Sequence, residues 1–95
     1  MRMIRTFADD ETEALFNDEA SRMLGTNLSR IARRKLVMLH AATNLMDLRS
    51  PPGNRLEKLK GNRAGQHSIR INDRYRVCFV WKSGDAYQVE VVDYH

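Results

Sequence analysis

The feature that most constrains this chain is a change of hydrophobic period at Pro51-Pro52-Gly53. Two successive prolines lack the amide hydrogens a helix requires and push the residues before them out of the helical region. Before that point apolar residues recur at helical spacing. Leu28, Ile31, Ala32, Leu36, Leu39 and Ala42 fall on one stripe of a helix that Thr26 or Asn27 can cap, with Arg30, Arg33 and Arg34 largely on the other side. Residues 44–48 offer a further helical turn. Upstream, Asp10 followed by Glu13 has capping-box spacing for a short first helix built on Ala14, Leu15 and Phe16. Ile4-Arg5-Thr6-Phe7 reads as a short opening strand, and residues 17–27 mix helix and loop signals.

After the prolines the pattern alternates, as strands require. Residues 55–59 form a candidate strand, followed by the polar loop Lys60-Gly61-Asn62-Arg63-Ala64-Gly65. Residues 66–71 place Ile69 and Ile71 on one side and Ser68 and Arg70 on the other. Asn72-Asp73 predicts a two-residue hairpin turn, because both residues tolerate positive φ. The returning strand sets Tyr75, Val77, Phe79 and Trp81 against Arg74, Arg76 and Cys78. Ser83-Gly84-Asp85 makes a second turn, and the last strand runs from residue 86 to the end with Tyr87, Val89 and Val91 alternating. The expected fold is α+β: N-terminal helices packed on one face of a small antiparallel sheet, as a single domain over residues 1–95. The opposite sheet face, lined by Ser68, Arg70, Arg74 and Arg76, is expected to be open and basic.

Composition narrows the partners. With 42% hydrophobic and 29% charged residues the chain is an ordinary globular sequence. No apolar run approaches the roughly 20 residues of a spanning helix, and Met1-Arg2-Met3-Ile4-Arg5 lacks a secretory h-region, so no membrane role and a cytoplasmic location are expected. Cys78 is the single cysteine and reads as a small apolar packing residue rather than a nucleophile. His40, His67 and His95 are scattered, without zinc-ligand spacing, and neither metal nor cofactor is expected. The net charge of +4 is unevenly spread. Residues 1–48 balance, residues 49–82 carry nine basic against two acidic side chains, and the last thirteen carry Asp85, Glu90 and Asp93 with no lysine or arginine. Twelve of the 16 basic residues are arginine, the side chain suited to bidentate phosphate recognition. A polyanion partner is the favoured reading, and a solvated charged face is the alternative.

Phosphodiester chemistry needs groups that move protons and stabilise negative charge. The tail Asp93-Tyr94-His95 supplies a carboxylate, a phenol and an imidazole, of which only the imidazole titrates near neutrality unaided. Strand alternation puts Asp93 and His95 on one face and Tyr94 on the other, and a frayed terminus is the competing reading. The order and spacing of several short motifs carry more weight. These are Ile4-Arg5-Thr6-Phe7, Pro51-Pro52-Gly53-Asn54-Arg55-Leu56-Glu57 with Leu59-Lys60-Gly61, and Arg63-Ala64-Gly65-Gln66. Ser68-Ile69-Arg70-Ile71-Asn72, Tyr75-Arg76-Val77-Cys78-Phe79 and Val92-Asp93-Tyr94-His95 complete the series. Over nearly its whole length the chain resembles the HigB toxins (plasmid maintenance system killer proteins) of the RelE/ParE superfamily.

That resemblance implies helices packed on an antiparallel sheet and a ribosome-dependent endoribonuclease that cleaves messenger RNA in the A site, inhibiting translation. It also implies a HigA-type antitoxin partner with a helix-turn-helix domain, which alone would contact operator DNA. Position by position, the family's C-terminal Asp-Tyr-His falls on Asp93, Tyr94 and His95, a sheet arginine on Arg76, and a lysine after the second strand on Lys60. Some members carry a histidine where this chain has Glu57, which reads either as a general base or as a surface carboxylate balancing Arg55 and Lys58. In the expected reaction Arg76, with Arg70 and Lys60, neutralises the phosphate, Glu57 or Asp93 deprotonates the 2′-OH, and His95 or Tyr94 protonates the leaving group. Arg63, Arg70, Arg74, Arg30, Arg33 and Arg34 are the expected RNA contacts. Tyr94 can also stack on a base, a contact typically contributing about 1–3 kcal/mol, whereas Tyr75, Phe79 and Trp81 read as core. Two alternatives remain: a non-catalytic ParE-like toxin acting on DNA gyrase, and a basic nucleic-acid-binding module using the α-helical arginines.

Overall fold

A computed structural model describes residues 4–19 and 24–93. In chain order they form α1 (Asp10–Phe16), α2 (Thr26–Ala41), 3-10 turns at Leu45–Arg49 and Pro52–Asn54, β1 (Glu57–Lys58), a 3-10 turn at Gly61–Arg63, β2 (His67–Arg70), β3 (Tyr75–Lys82) and β4 (Asp85–Asp93). The strands pair antiparallel in the order β1-β2-β3-β4. Leu15, Ala32, Leu36 and Leu39 from the helices meet Ile69, Val77, Phe79, Val89 and Val91 from the sheet in one buried cluster. The α+β reading of the sequence therefore holds, with both helices on one face.

The helices begin where local chemistry permits. α1 starts one residue earlier than the capping-box reading, because Asp9 is the cap and its Oδ1 accepts from the Thr12 amide at 2.6 Å. Asp10, Glu11 and Glu13 then lie in the first turn, where the helix dipole favours negative charge. α2 follows Gly25, and neither Thr26 nor Asn27 caps it. Its stability comes from packing: Ala32, Leu36 and Leu39 are fully buried, on the stripe the spacing predicts.

β1 is two residues long rather than five, and the reason lies just upstream. Arg55 closes the 3-10 turn at Pro52–Asn54 with a φ of 46°, outside strand geometry. Asn54, wholly buried, fixes that turn. Its Nδ2 donates to the carbonyls of Leu48 and Ser50, at 3.1 and 3.3 Å, while its Oδ1 accepts from Lys35 Nζ at 2.6 Å. Burial, then Arg34 and Arg70, lower the Lys35 pKa.

The hairpins differ from expectation in an instructive way. Between β2 and β3 the link is four residues, 71–74, and neither Asn72 nor Asp73 has positive φ. Instead Asn72 Oδ1 accepts from the amides of Arg74 and Tyr75, at 2.9 and 2.7 Å, so the side chain bends the chain. Ser83 and Gly84, at φ 53° and 84°, do form a two-residue turn between the paired Lys82 and Asp85. Along β4 simple alternation fails. Tyr87 pairs with Val80 but Glu90 pairs with Cys78, so β4 holds one extra residue, at a bulge where Gln88 has φ 53°. Ala86, not Tyr87, consequently joins Val89 and Val91 in the core. Trp81 lies against the core, partly buried, with its ring edge-on to Phe79 at 6.4 Å.

The opening segment contributes two isolated parallel bridges to β4, Ile4 to Ala86 and Phe7 to Val89, rather than a regular strand. Thr12 ties α1 to the same strand, its buried Oγ1 accepting from the Val91 amide at 3.0 Å. Among the described residues no helix is long and apolar enough to cross a membrane.

Candidate functional site on the open sheet face

Cross-strand register determines which side chains share the face turned away from the helices. Glu57, Ser68, Cys78 and Glu90 form one row across the four strands, and Arg70, Arg76 and Val92 form the next. Arg76 binds the two rows together. Its Nε donates to Ser68 Oγ at 2.8 Å, its Nη2 donates to the Arg55 carbonyl at 2.7 Å, and Glu57 Oε1 lies 3.5 Å from Nη2. The Arg76 side chain is 13% exposed, so its charge is held close to the sheet.

Arg63, from the turn after β1, reaches across the same face to Glu90 at 2.8 Å and also donates to Gln66 Oε1 at 3.0 Å. Cys78 lies beneath these charged side chains and is fully buried. Burial pushes its thiol pKa up, which disfavours the thiolate and agrees with a packing role.

The face is less basic than the sequence predicts. Arg63 pairs with Glu90, Arg70 with Asp73, Arg74 with Asp93 and Arg76 with Glu57. Glu90 and Asp93 of the acidic tail, with Glu57 and Asp73, pair with four of the nine basic residues of the segment, which linear charge counting cannot reveal, while Asp85 pairs with Arg5. Arg74 also leaves the row assigned to it. It lies in the turn, and its guanidinium stands 5.2 Å from the Tyr75 ring centroid and binds Asp93 Oδ2 through Nε and Nη2 at 3.0 and 2.8 Å.

Asp93 and Glu57 do not share a site. Asp93 is in register with Tyr75 and thus on the helix-side row, whereas Glu57 belongs to the open face. Three strand spacings, roughly 14 Å, also separate β1 from β4. Lys60 is exposed in the β1–β2 connection. Arg30 and Arg34 are exposed on α2, while Arg33 donates to the Phe16 carbonyl at 3.2 Å and lies 4.0 Å from Asp18. These three belong to the helical layer, away from Arg76. Tyr94 and His95 lie outside the described residues. Sequence reasoning missed Glu90, the Arg55 carbonyl and Asn54, because each acquires its role through a turn or a bulge rather than a pattern.

Two helices laid on a four-stranded antiparallel meander are the architecture of RelE-like toxins. The solved YoeB–YefM complex from Staphylococcus aureus shares this fold with a TM-score of 0.55, covering 97% of each chain at 14% identity. The sequence narrows the class further. Residues 5–95 match the family described as RelE-like toxin of type II toxin-antitoxin system HigB. Toxin HigB-1 of Vibrio cholerae is 41% identical over 85 residues, 88% of this chain and 90% of the relative. Endoribonuclease HigB of Proteus vulgaris is 32% identical over 94 residues, 98% of this chain and all of the relative. The chain belongs to the HigB-like toxin family of type II toxin–antitoxin systems.

Proposed function

We propose that this toxin is a ribosome-dependent endoribonuclease that cleaves messenger RNA in the A site and thereby inhibits translation. Arg76 carries the reading: a cation held in place by Ser68, the Arg55 carbonyl and Glu57 on the sheet face turned away from the helices is suited to stabilise charge that develops on a phosphate. The full-length likeness to a relative named as an endoribonuclease supports the reaction class.

In the proposed step the RNA 2′-oxygen attacks the adjacent phosphorus in line, the P–O5′ bond breaks, and a 2′,3′-cyclic phosphate and a 5′-hydroxyl result; a 3′-phosphate forms only when water then adds to the cyclic ester and breaks its P–O2′ bond. Glu57, beside Arg76, accepts the 2′-OH proton. His95 or Tyr94 returns a proton to the departing 5′-oxygen. Arg76, with Arg70 and Lys60, offsets the phosphate charge. Because Asp93 is paired with Arg74 on the other face, its part is to anchor the end of β4 rather than to share the base role. A HigA-type helix-turn-helix antitoxin is the proposed partner, with operator DNA bound through it.

The test maps transcript 5′ ends after translating ribosomes are incubated with the protein, its Arg76→Ala variant and its His95→Ala variant. New ends confined to ribosome-bound messages and lost with Arg76→Ala are expected. Cleavage undiminished by His95→Ala would remove that residue from the mechanism. Gyrase inhibition without new ends would instead support the ParE-like alternative.

A further inference from the structure

Ser68 is a polar residue that is fully buried although it stands on the sheet face turned away from α1 and α2. Register explains its neighbour. Ser68 pairs with Cys78 and Arg70 with Arg76, so Ser68 and Arg76 are diagonal neighbours on one face of adjacent strands. At 2.8 Å the hydroxyl oxygen accepts from Arg76 Nε, the nitrogen nearest the flexible stem. The Nε and Nη2 protons lie along one edge of the planar guanidinium. Ser68 holds one end of that edge and the Arg55 carbonyl holds the other, at 2.7 Å. Two bonds along one edge fix both the plane of the group and its rotation about the stem. Glu57 adds charge at 3.5 Å, but with a half-exposed side chain it is the looser constraint.

We propose that Ser68 is a positioning residue for Arg76. This inference rests on the proposed role of Arg76 in RNA cleavage. Without the hydroxyl, Arg76 keeps its charge but rotates about its stem, and misplacement by about 1 Å can cost on the order of 10²-fold in rate.

The experiment is a double-mutant cycle of Ser68→Ala and Arg76→Ala, read as cleavage on message-programmed ribosomes, with kcat and KM separated. Ser68→Ala is expected to lower kcat on the order of 10²-fold with little change in KM, and to cause no further loss in the Arg76→Ala background. Ser68→Thr, which keeps the hydroxyl, is expected to restore much of the rate, and Ser68→Cys, of similar size but a poorer acceptor, is not. Independently of activity, NMR of the 15N-labelled protein should show a slowly exchanging Arg76 Nε–H that becomes fast in Ser68→Ala and Ser68→Cys. Additive losses in the cycle, or Nε–H protection that survives both substitutions, would overturn the proposal. If Arg76→Ala cleaves at the wild-type rate, Arg76 has no part in the reaction and both readings fall. A large Arg76→Ala loss beside an unchanged Ser68→Ala overturns only the positioning role.

Discussion

His67 shows how one side chain couples stability to pH. On β2 its ring stacks on Phe79 at 6.2 Å, and its buried Nδ1 has no hydrogen-bond partner among the described residues. Burial, then the nearby Lys58, lowers its pKa from the usual 6.5. The folded state therefore binds this proton less readily than the unfolded chain. Above 6.5 both states are neutral and stability is unaffected by the group. As pH falls below 6.5 the unfolded chain is protonated first, and stability declines until the folded form titrates as well. His67→Leu should thus lose less stability than the wild type between pH 7 and pH 5.5, measured by urea midpoints; parallel declines would refute the assignment. Nothing in the alternation of residues 66–71 marks His67 as unusual, because its state depends on Phe79 and Lys58 arriving from neighbouring strands.

At the scale of elements, the decisive feature is the bulge in β4. Gln88 adopts φ 53°, and its amide donates to Thr6 Oγ1 at 2.8 Å, so the opening segment braces the irregularity. The extra residue shifts alternation between Tyr87 and Val89, which sends Ala86 inward and sets Glu90 opposite Cys78, where Arg63 reaches it. A β-branched residue tolerates left-handed backbone poorly, so Gln88→Val is expected to destabilise the fold by about 1–3 kcal/mol. Gln88→Gly should be neutral or mildly stabilising, by up to about 1 kcal/mol. Chemical denaturation of both variants checks this, and equal effects would show that the backbone conformation is not what matters. Pattern alone cannot locate such a bulge: glycine is its usual marker, and none occurs between Gly84 and the end of the sequence.

For the whole molecule, charge is better described by two layers than by its sum. Arg63, Arg70, Arg74 and Arg76 are matched by carboxylates, whereas Arg30 and Arg34 on α2 are exposed, as are Arg49, Arg55, Lys58, Lys60 and Lys82 in the second half of the chain. Long-range attraction to a polyanion should therefore draw on the helical cations as well as on those around the sheet, while short-range chemistry belongs to the sheet. Reversing both helical charges, Arg30→Glu with Arg34→Glu, is expected to weaken association with ribosomes. It should also flatten the dependence of log affinity on log salt by roughly 0.7–0.9 for each phosphate the helix no longer neutralises. The single-turnover cleavage rate of the bound complex should not change. Sedimentation with ribosomes across a salt series measures the first effect, and an unaltered slope would place the ionic interactions elsewhere.

The sequence by itself determined the α+β class, the buried stripe of α2, the core face of β3 and the family pattern. Each of these depends on local periodicity or on short motifs, and helix and strand periods differ enough to be read directly. The candidate site was legible as a set of residue types on the open face, with Ser68, Arg70 and Arg76 correctly placed together. Tertiary structure decided which of them act as a unit. It paired Arg76 with Ser68, the Arg55 carbonyl and Glu57, sent Asp93 to Arg74, and matched four of the nine basic residues of a strongly basic segment with carboxylates. The physical reason is that hydrogen bonds and ion pairs form between strands, at distances set by register. Register here depends on an Asn72 turn, a left-handed Arg55 and the Gln88 bulge, none of which has a periodic signature.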